Sequence, residues 1–212
     1  MAKTDEGMLV RPHDARLLYV FAHGAGAGMR HHFLAQAADV LAARGIATYR
    51  YEFPYMQAGK SRPDPPGVAE TAVRKAVAQA SHRAPELPLI AGGKSFGGRM
   101  TSQAQAHEPL PGVRGLVFLG FPLHAPGRPG IERAEHLTAV EVPMLFLQGT
   151  RDEFAQLDLL QKVVTGLGSR ATLHLIDEGD HSFKVPKRTG KTEADVMNEL
   201  ADTIQQWATA NA

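Results

Sequence analysis

The 212-residue sequence contains no cysteine, which excludes disulfides, thiolate zinc sites and a cysteine nucleophile. Neither sign of charge dominates, because 23 Lys and Arg stand against 22 Asp and Glu. The chain therefore lacks the positive field that attracts nucleic acid backbones or anionic lipid. No window approaches the roughly 18 apolar residues that a membrane-spanning helix needs. These absences predict a cytoplasmic protein that binds neither nucleic acid nor membrane, and nothing in the composition indicates an oligomeric state.

What is present is the mixture of a globular protein, with 43% hydrophobic and 21% charged residues. The length predicts a single domain over residues 1–212. Short apolar runs alternate with segments of helical period, which predicts an α/β fold with a mostly parallel sheet of six to seven strands and helices on both faces. Six strands are predicted at 16–23, 46–53, 87–91, 115–121, 144–148 and 172–176. Their continuous apolar character favours central positions in the sheet.

Three segments carry apolar stripes at helical spacing, 33–41, 69–80 and 196–207. Thr192 and Asp195 resemble a capping box before the last of them.

Two segments rich in Pro and Gly, 54–67 and 122–143, are predicted to be loops at strand ends. Ligands bind beyond the carboxyl ends of strands in such sheets, so these loops are candidate cleft walls. The candidate pocket residues are His23, Tyr55, Met56, His124 and Arg128.

The motif Gly93-Lys94-Ser95-Phe96-Gly97 follows an apolar strand and precedes a plausible helix. A serine at the tip of a sharp strand-to-helix turn needs small residues two positions before and after it, because larger side chains would collide in the bend. This context predicts that Ser95 is a nucleophile. The alternative is a serine that only caps the start of a helix.

A serine hydroxyl is a weak nucleophile until a base accepts its proton and a third group orients that base. Asp152 follows the strand predicted at 144–148, and His181 follows the strand predicted at 172–176. Both therefore fall at carboxyl ends of strands, in the order Ser, acid, His. The alternatives are a surface ion pair between Asp152 and Arg151 and an ordinary loop histidine. Asp177 and Asp180 are poorer acids because they share the loop of His181.

Charge that develops on an attacked carbonyl oxygen needs fixed donors, which backbone amides usually supply. The amide of Phe96, directly after the proposed nucleophile, is one candidate. The second is predicted in the small-residue stretch that follows the first core strand, at Ala25, with Gly26 as the alternative.

Three other kinds of site fit the sequence poorly. A phosphate-binding loop would need glycine where Pro88 stands, and a dinucleotide fingerprint would need glycine where Met29 stands. The histidines His23, His31 and His32 have no carboxylate beside them to complete a metal site. We therefore expect no cofactor and no metal.

Five segments together resemble the α/β-hydrolase superfamily: His23-Gly24-Ala25-Gly26, Gly93-Lys94-Ser95-Phe96-Gly97-Gly98-Arg99, Gly120-Phe121-Pro122-Leu123-His124, Gly149-Thr150-Arg151-Asp152 and Asp180-His181-Ser182-Phe183. Within it, they are similar to the dienelactone-hydrolase-like branch that includes the testis-expressed protein 30 and third NSL-complex subunit families. The resemblance implies an α/β-hydrolase fold with Ser95, Asp152 and His181 as nucleophile, acid and base. Only a short loop follows the strand at 115–121, so no large cap domain is expected.

The expected function is a serine hydrolase that cleaves a carboxylester, lactone or thioester bond in a small molecule through an acyl-enzyme. The alternative belongs to a different class of protein: a hydrolase fold that serves as a non-catalytic binding or scaffold module.

Overall fold

The computed structural model describes residues 7–212, in which seven strands form one sheet in the order β1-β3-β2-β4-β5-β6-β7. The strands are β1 (Met8–Val10), β2 (Leu17–Ala22), β3 (Ile46–Tyr51), β4 (Leu89–Lys94), β5 (Val113–Leu119), β6 (Met144–Gly149) and β7 (Ala171–Ile176). All neighbouring pairs are parallel except β1 with β3, which are antiparallel. The predicted α/β fold with a mostly parallel sheet is confirmed.

Between residues 7 and 212, six α-helices flank this sheet. They are α1 (His32–Ala42), α2 (Pro54–Gln57), α3 (Pro66–Arg83), α4 (Phe96–His107), α5 (Leu157–Leu167) and α6 (Glu193–Asn211). The apolar sides of α1 and α6 pack with one face of the strands, and those of α3, α4 and α5 pack with the other. The sheet is therefore buried between two helical layers, as the continuous apolar strands predicted.

Both edges of the sheet differ from the sequence prediction. Strand β1 was missed because it has only three residues and pairs with a partner about forty residues away. At the other edge, β7 is not a central strand, and of its six residues only Ile176 is fully buried. An edge strand has a neighbour on one side only, so apolar character alone does not reveal its position.

The segments predicted to be loops also contain helical structure. Helix α2 and the first two residues of α3 lie within 54–67, and a 3₁₀ segment, Glu132–Ala139, lies inside 122–143. Helix α5 was not predicted. The capping box of α6 is confirmed, because Thr192 accepts from the Asp195 amide and the Asp195 carboxylate accepts from the Thr192 amide.

Strand β4 is longer than predicted because it continues through two glycines to Lys94. Glycine has low strand propensity, but here the backbones come too close for a side chain. A Cβ on Gly92 would lie 1.9 Å from the Val117 carbonyl oxygen. This extension brings Ser95 to the carboxyl end of a strand near the middle of the sheet, between β2 and β5.

No cap domain is inserted among the described residues. The connection between β5 and β6 consists of a turn at 125–128 and the 3₁₀ segment. The carboxyl ends of β4, β6 and β7 therefore share an uncovered edge of the sheet.

Candidate active site

Ser95 occupies a strained turn between β4 and α4, with φ 49° and ψ −115°. A non-glycine residue in this region of backbone space costs free energy that the surrounding packing must supply. The motif glycines permit that packing, since a Cβ on Gly93 would lie 2.3 Å from the Ala22 carbonyl oxygen and one on Gly97 would lie 2.6 Å from that of His23. The turn therefore presses against the end of β2 and projects the serine hydroxyl from the sheet edge.

Three side chains from three separate loops form one line of hydrogen bonds. The Ser95 Oγ lies 2.9 Å from Nε2 of His181, and Nδ1 of His181 lies 2.7 Å from Oδ2 of Asp152. The Asp152 side chain is 0% exposed, whereas that of His181 is 19% exposed. With Nδ1–H donating to the carboxylate, Nε2 is free to accept the serine proton.

Asp152 is held by neighbours that the sequence did not indicate. Its Oδ2 accepts from Nε2 of Gln148 at 2.5 Å and its Oδ1 accepts from the amide of Phe154 at 2.8 Å. The Gln148 Oε1 in turn accepts from the Phe121 amide at 2.8 Å. Gln148 is the second-last residue of β6, and the only sequence signal for its role is that it is a polar residue in an otherwise apolar strand. These bonds orient the carboxylate toward His181.

The loop of His181 is organised by two further residues. Asp180 Oδ1 accepts from the amides of Ser182 and Lys184, so this carboxylate stabilises its own loop. The Phe154 ring lies 4.3 Å from the His181 ring, centroid to centroid, and covers one face of the imidazole. Phe154 is therefore a second residue of this site, besides Gln148, that sequence reasoning missed.

The two amides predicted after β2 have different environments. The Gly26 N–H donates to the Tyr55 hydroxyl at 2.9 Å. By contrast, the amides of Ala25 and Phe96 have no acceptor within the described part of the chain. Of the two alternatives, Ala25 is therefore the one whose N–H is available to a ligand.

A cavity of about 400 Å³ opens beside Ser95. The side chains around it come from the loop after β2, from α1, from the His181 loop and from the start of α6. Its lining residues are Gly24, Ala25, Ala27, His31, His32, Phe33, Leu34, Lys94, Ser95, Phe154, His181, Ser182, Lys184 and Glu193. Burial and the neighbouring His32 lower the pKa of His31, which keeps this imidazole neutral near neutral pH. A second cavity of about 330 Å³, between α2 and α3, contains none of the three hydrogen-bonded side chains.

The five predicted pocket residues are not part of this lining. His23, Tyr55 and His124 are buried, Met56 packs against the loop after β2 near Gly28, and Arg128 is exposed at the tip of the turn after β5. The prediction assumed that these loop residues face the cleft, but His23, Tyr55 and His124 are turned into the protein and Arg128 into solvent.

His23 and His124 instead link neighbouring loops in the same way. In His23, Nδ1 faces the Gly24 carbonyl at 2.8 Å and Nε2 accepts from the Phe53 amide at 3.2 Å. In His124, Nδ1 faces the Ala125 carbonyl at 2.9 Å and Nε2 accepts from the Gln156 amide at 3.0 Å. Each buried ring thus satisfies backbone groups of two loops at the sheet edge.

No metal or membrane feature is present between residues 7 and 212. No group of three or more His, Asp or Glu side chains in this range is arranged to hold a metal ion. None of the helices in it combines the length and the apolar character needed to cross a bilayer.

The comparisons with known proteins agree with this architecture. A family model described as an alpha/beta hydrolase domain matches residues 15–209, so the chain belongs to the α/β-hydrolase family. The narrower similarity to the testis-expressed protein 30 and NSL-complex families stays a prediction.

Solved structures show the same fold. A dienelactone hydrolase from Anabaena variabilis is 20% identical, with a TM-score of 0.75 over 97% of this chain and 91% of that one. A serine hydrolase without a lid from Xanthomonas campestris is 20% identical, with a TM-score of 0.71 over 94% and 87%. An alpha-beta serine hydrolase homologue from Coxiella burnetii is 18% identical, with a TM-score of 0.74 over 94% and 89%.

Proposed function

We propose that this protein is a serine hydrolase that cleaves an ester-like bond, a carboxylester, lactone or thioester, in a small molecule. The observation that carries the proposal is the unbroken line of hydrogen bonds from Ser95 through His181 to Asp152, at 2.9 and 2.7 Å. A serine that merely capped α4 would bond to the helix amides, but the Ser95 side chain makes no capping bond.

In the first half of the reaction, Nε2 of His181 takes the proton from Ser95 Oγ while Oγ bonds to the carbonyl carbon. The carbonyl electron pair moves to its oxygen, and the amides of Ala25 and Phe96 stabilise the resulting oxyanion. As the tetrahedral intermediate collapses, the bond to the leaving group breaks and that group takes the proton from His181. The product is an acyl-serine and a free alcohol or thiol.

In the second half, His181 removes a proton from water and the hydroxide oxygen attacks the acyl carbon. Collapse breaks the bond to Oγ, which regains its proton from His181, and the carboxylic acid leaves. Asp152 stabilises the imidazolium in both halves and holds the neutral imidazole in the required tautomer. The cavity beside Ser95, about 400 Å³ in volume, has the size of a small-molecule site.

A fluorophosphonate probe tests this proposal directly, because it reacts with an activated serine and not with an ordinary one. We expect one adduct per chain, mapped to Ser95 by peptide mass spectrometry. The matched control is Ser182→Ala, which alters the other serine that lines the cavity, and this variant should still be labelled at Ser95. Ser95→Ala should not be labelled.

Activity on activated acyl esters of graded chain length completes the test. Ser95→Ala or His181→Ala should lower kcat by roughly 10³-fold or more, and Asp152→Asn by somewhat less. A folded wild-type protein that neither reacts with the probe nor hydrolyses any of these esters would be a binding module and would overturn the proposal.

A further inference from the structure

Lys94 is a charged residue at the centre of the site for which the proposed reaction has no use. It is the last residue of β4 and precedes Ser95 in the chain. Its Nζ donates to the main-chain oxygen of His181 at 2.5 Å. The same nitrogen lies 6.0 Å from the centre of the Phe33 ring and 5.3 Å from that of Phe183. Lys94 therefore connects the strand that carries Ser95 to the loop that carries His181.

An enclosed ammonium is costly unless it is paired with an anion. No carboxylate lies within ion-pair distance of Lys94 in the described chain, although Asp152 and Asp180 act on it at longer range. Burial lowers the pKa of Lys94 to about 8, against the opposite effect of these two carboxylates. The side chain thus stays mostly charged at neutral pH and below, despite its surroundings.

The Lys94 ammonium is a neighbour of the imidazole itself. A Cβ on Gly120 would lie 2.9 Å from Lys94 Nζ and 3.4 Å from His181 Nδ1, so the absence of a side chain at Gly120 gives both groups their space. The charge of Lys94 also acts on His31, the residue directly before α1. Other titratable groups that line the same cavity are His32, Lys184 and Glu193.

We propose that Lys94 is a positioning residue for His181, which holds the histidine main chain beside Ser95. This inference rests on the hydrolase function proposed above. The hydrogen bond has this positioning effect because it joins the end of β4 to a loop 87 residues later in the sequence.

Two substitutions test this role. Lys94→Met removes the N–H donor to the His181 main chain, whereas Lys94→Gln removes the charge and keeps a donor. The matched control is Lys162→Met on the surface of α5, where the lysine lies near Asp158 at 3.9 Å. The measurement is steady-state kcat and KM on an activated ester at neutral pH, together with the thermal unfolding midpoint.

For Lys94→Met, we expect kcat to fall about tenfold with little change in KM, because misplacement of His181 slows proton transfer and not substrate binding. Lys94→Gln should recover most of the wild-type kcat. Lys162→Met should match the wild type in kcat and KM. If Lys94→Met does not fold, the kcat of Lys94→Gln still tests the role of the donor.

An unchanged kcat in folded Lys94→Met would overturn the positioning role, and so would a folded Lys94→Gln whose kcat falls about tenfold or more. Failure of the hydrolase proposal is distinguishable from both results, because then the wild-type protein would show neither probe labelling nor turnover.

Discussion

The hydroxyl of Tyr55 is expected to control catalysis without contacting the substrate. It accepts the Gly26 N–H at 2.9 Å, and its ring lies 6.3 Å from that of Phe96. Tyr55 thus stands between the two segments whose amides, at Ala25 and Phe96, are proposed to hold the oxyanion. Tyr55→Phe removes one oxygen atom and leaves the ring packing in place.

The size of the effect follows from that single hydrogen bond. A bond of this kind contributes about 0.5–1.5 kcal/mol of net stability. If about 1 kcal/mol of this stability serves to keep the Ala25 amide in position for the transition state, kcat falls about fivefold in Tyr55→Phe. This is well below the roughly 10²- to 10³-fold effect of losing an oxyanion donor altogether. KM should change little, because the amides bind the oxyanion more strongly than the ground-state carbonyl.

The assay is steady-state hydrolysis of an activated ester by Tyr55→Phe, with urea unfolding measured on the same preparation. Tyr19→Phe is the matched control, because its buried hydroxyl donates to the Val117 carbonyl at 3.0 Å within the sheet. Tyr19→Phe should lose about 1 kcal/mol of stability and keep its kcat. A Tyr55→Phe enzyme with wild-type kcat and the same loss of stability would refute the reasoning, since the bond would then serve the fold alone.

Two further predictions concern buried polar residues. Gln148→Met leaves the buried Phe121 amide without an acceptor and removes a donor from Asp152. We expect the free energy of unfolding in urea to fall by roughly 2–4 kcal/mol and the labelling of Ser95 to become slower. A variant as stable as the wild type would contradict this. Burial, with help from Arg99 and His107, lowers the pKa of His136 to about 4. The unfolded chain therefore binds this proton first as the pH falls, so about 3 kcal/mol of stability should be lost between pH 6.5 and 4. Urea unfolding at pH 7 and pH 4.5 measures this loss, which should be smaller in His136→Phe than in the wild type.

Local sequence patterns were sufficient for most of the architecture. The apolar runs identified six of the seven strands, and the helical stripes identified the segments that became α1, α3 and α6. The elements that were not predicted include the three-residue strand β1, the helices α2 and α5, and the 3₁₀ segment after β5. β1 and α2 are short, and α2 and the 3₁₀ segment lie in Pro- and Gly-rich stretches.

The candidate site, too, was predicted only in part from local sequence. Ser95, Asp152 and His181 were chosen because each follows a strand, and the structure brings them within hydrogen-bond distance; their catalytic role is a proposal. The pocket prediction failed for His23 and His124 because a loop histidine can turn inward when backbone groups of a neighbouring loop need a partner. Nothing in the local sequence indicates where that partner lies.

By itself, the sequence determined which segments form the six longer strands, because strand and turn preferences are properties of adjacent residues. It also determined that Ser95 stands between glycines that allow a strained turn. Only the tertiary structure decided that the Gly26 amide donates to Tyr55 while the Ala25 amide has no acceptor among the described residues, that Gln148 supports Asp152, and that Lys94 reaches His181. These contacts join residues 29, 4 and 87 positions apart. Even the contact between Gln148 and Asp152, four positions apart, depends on how strands and loops meet at one edge of the sheet, and packing alone sets that arrangement.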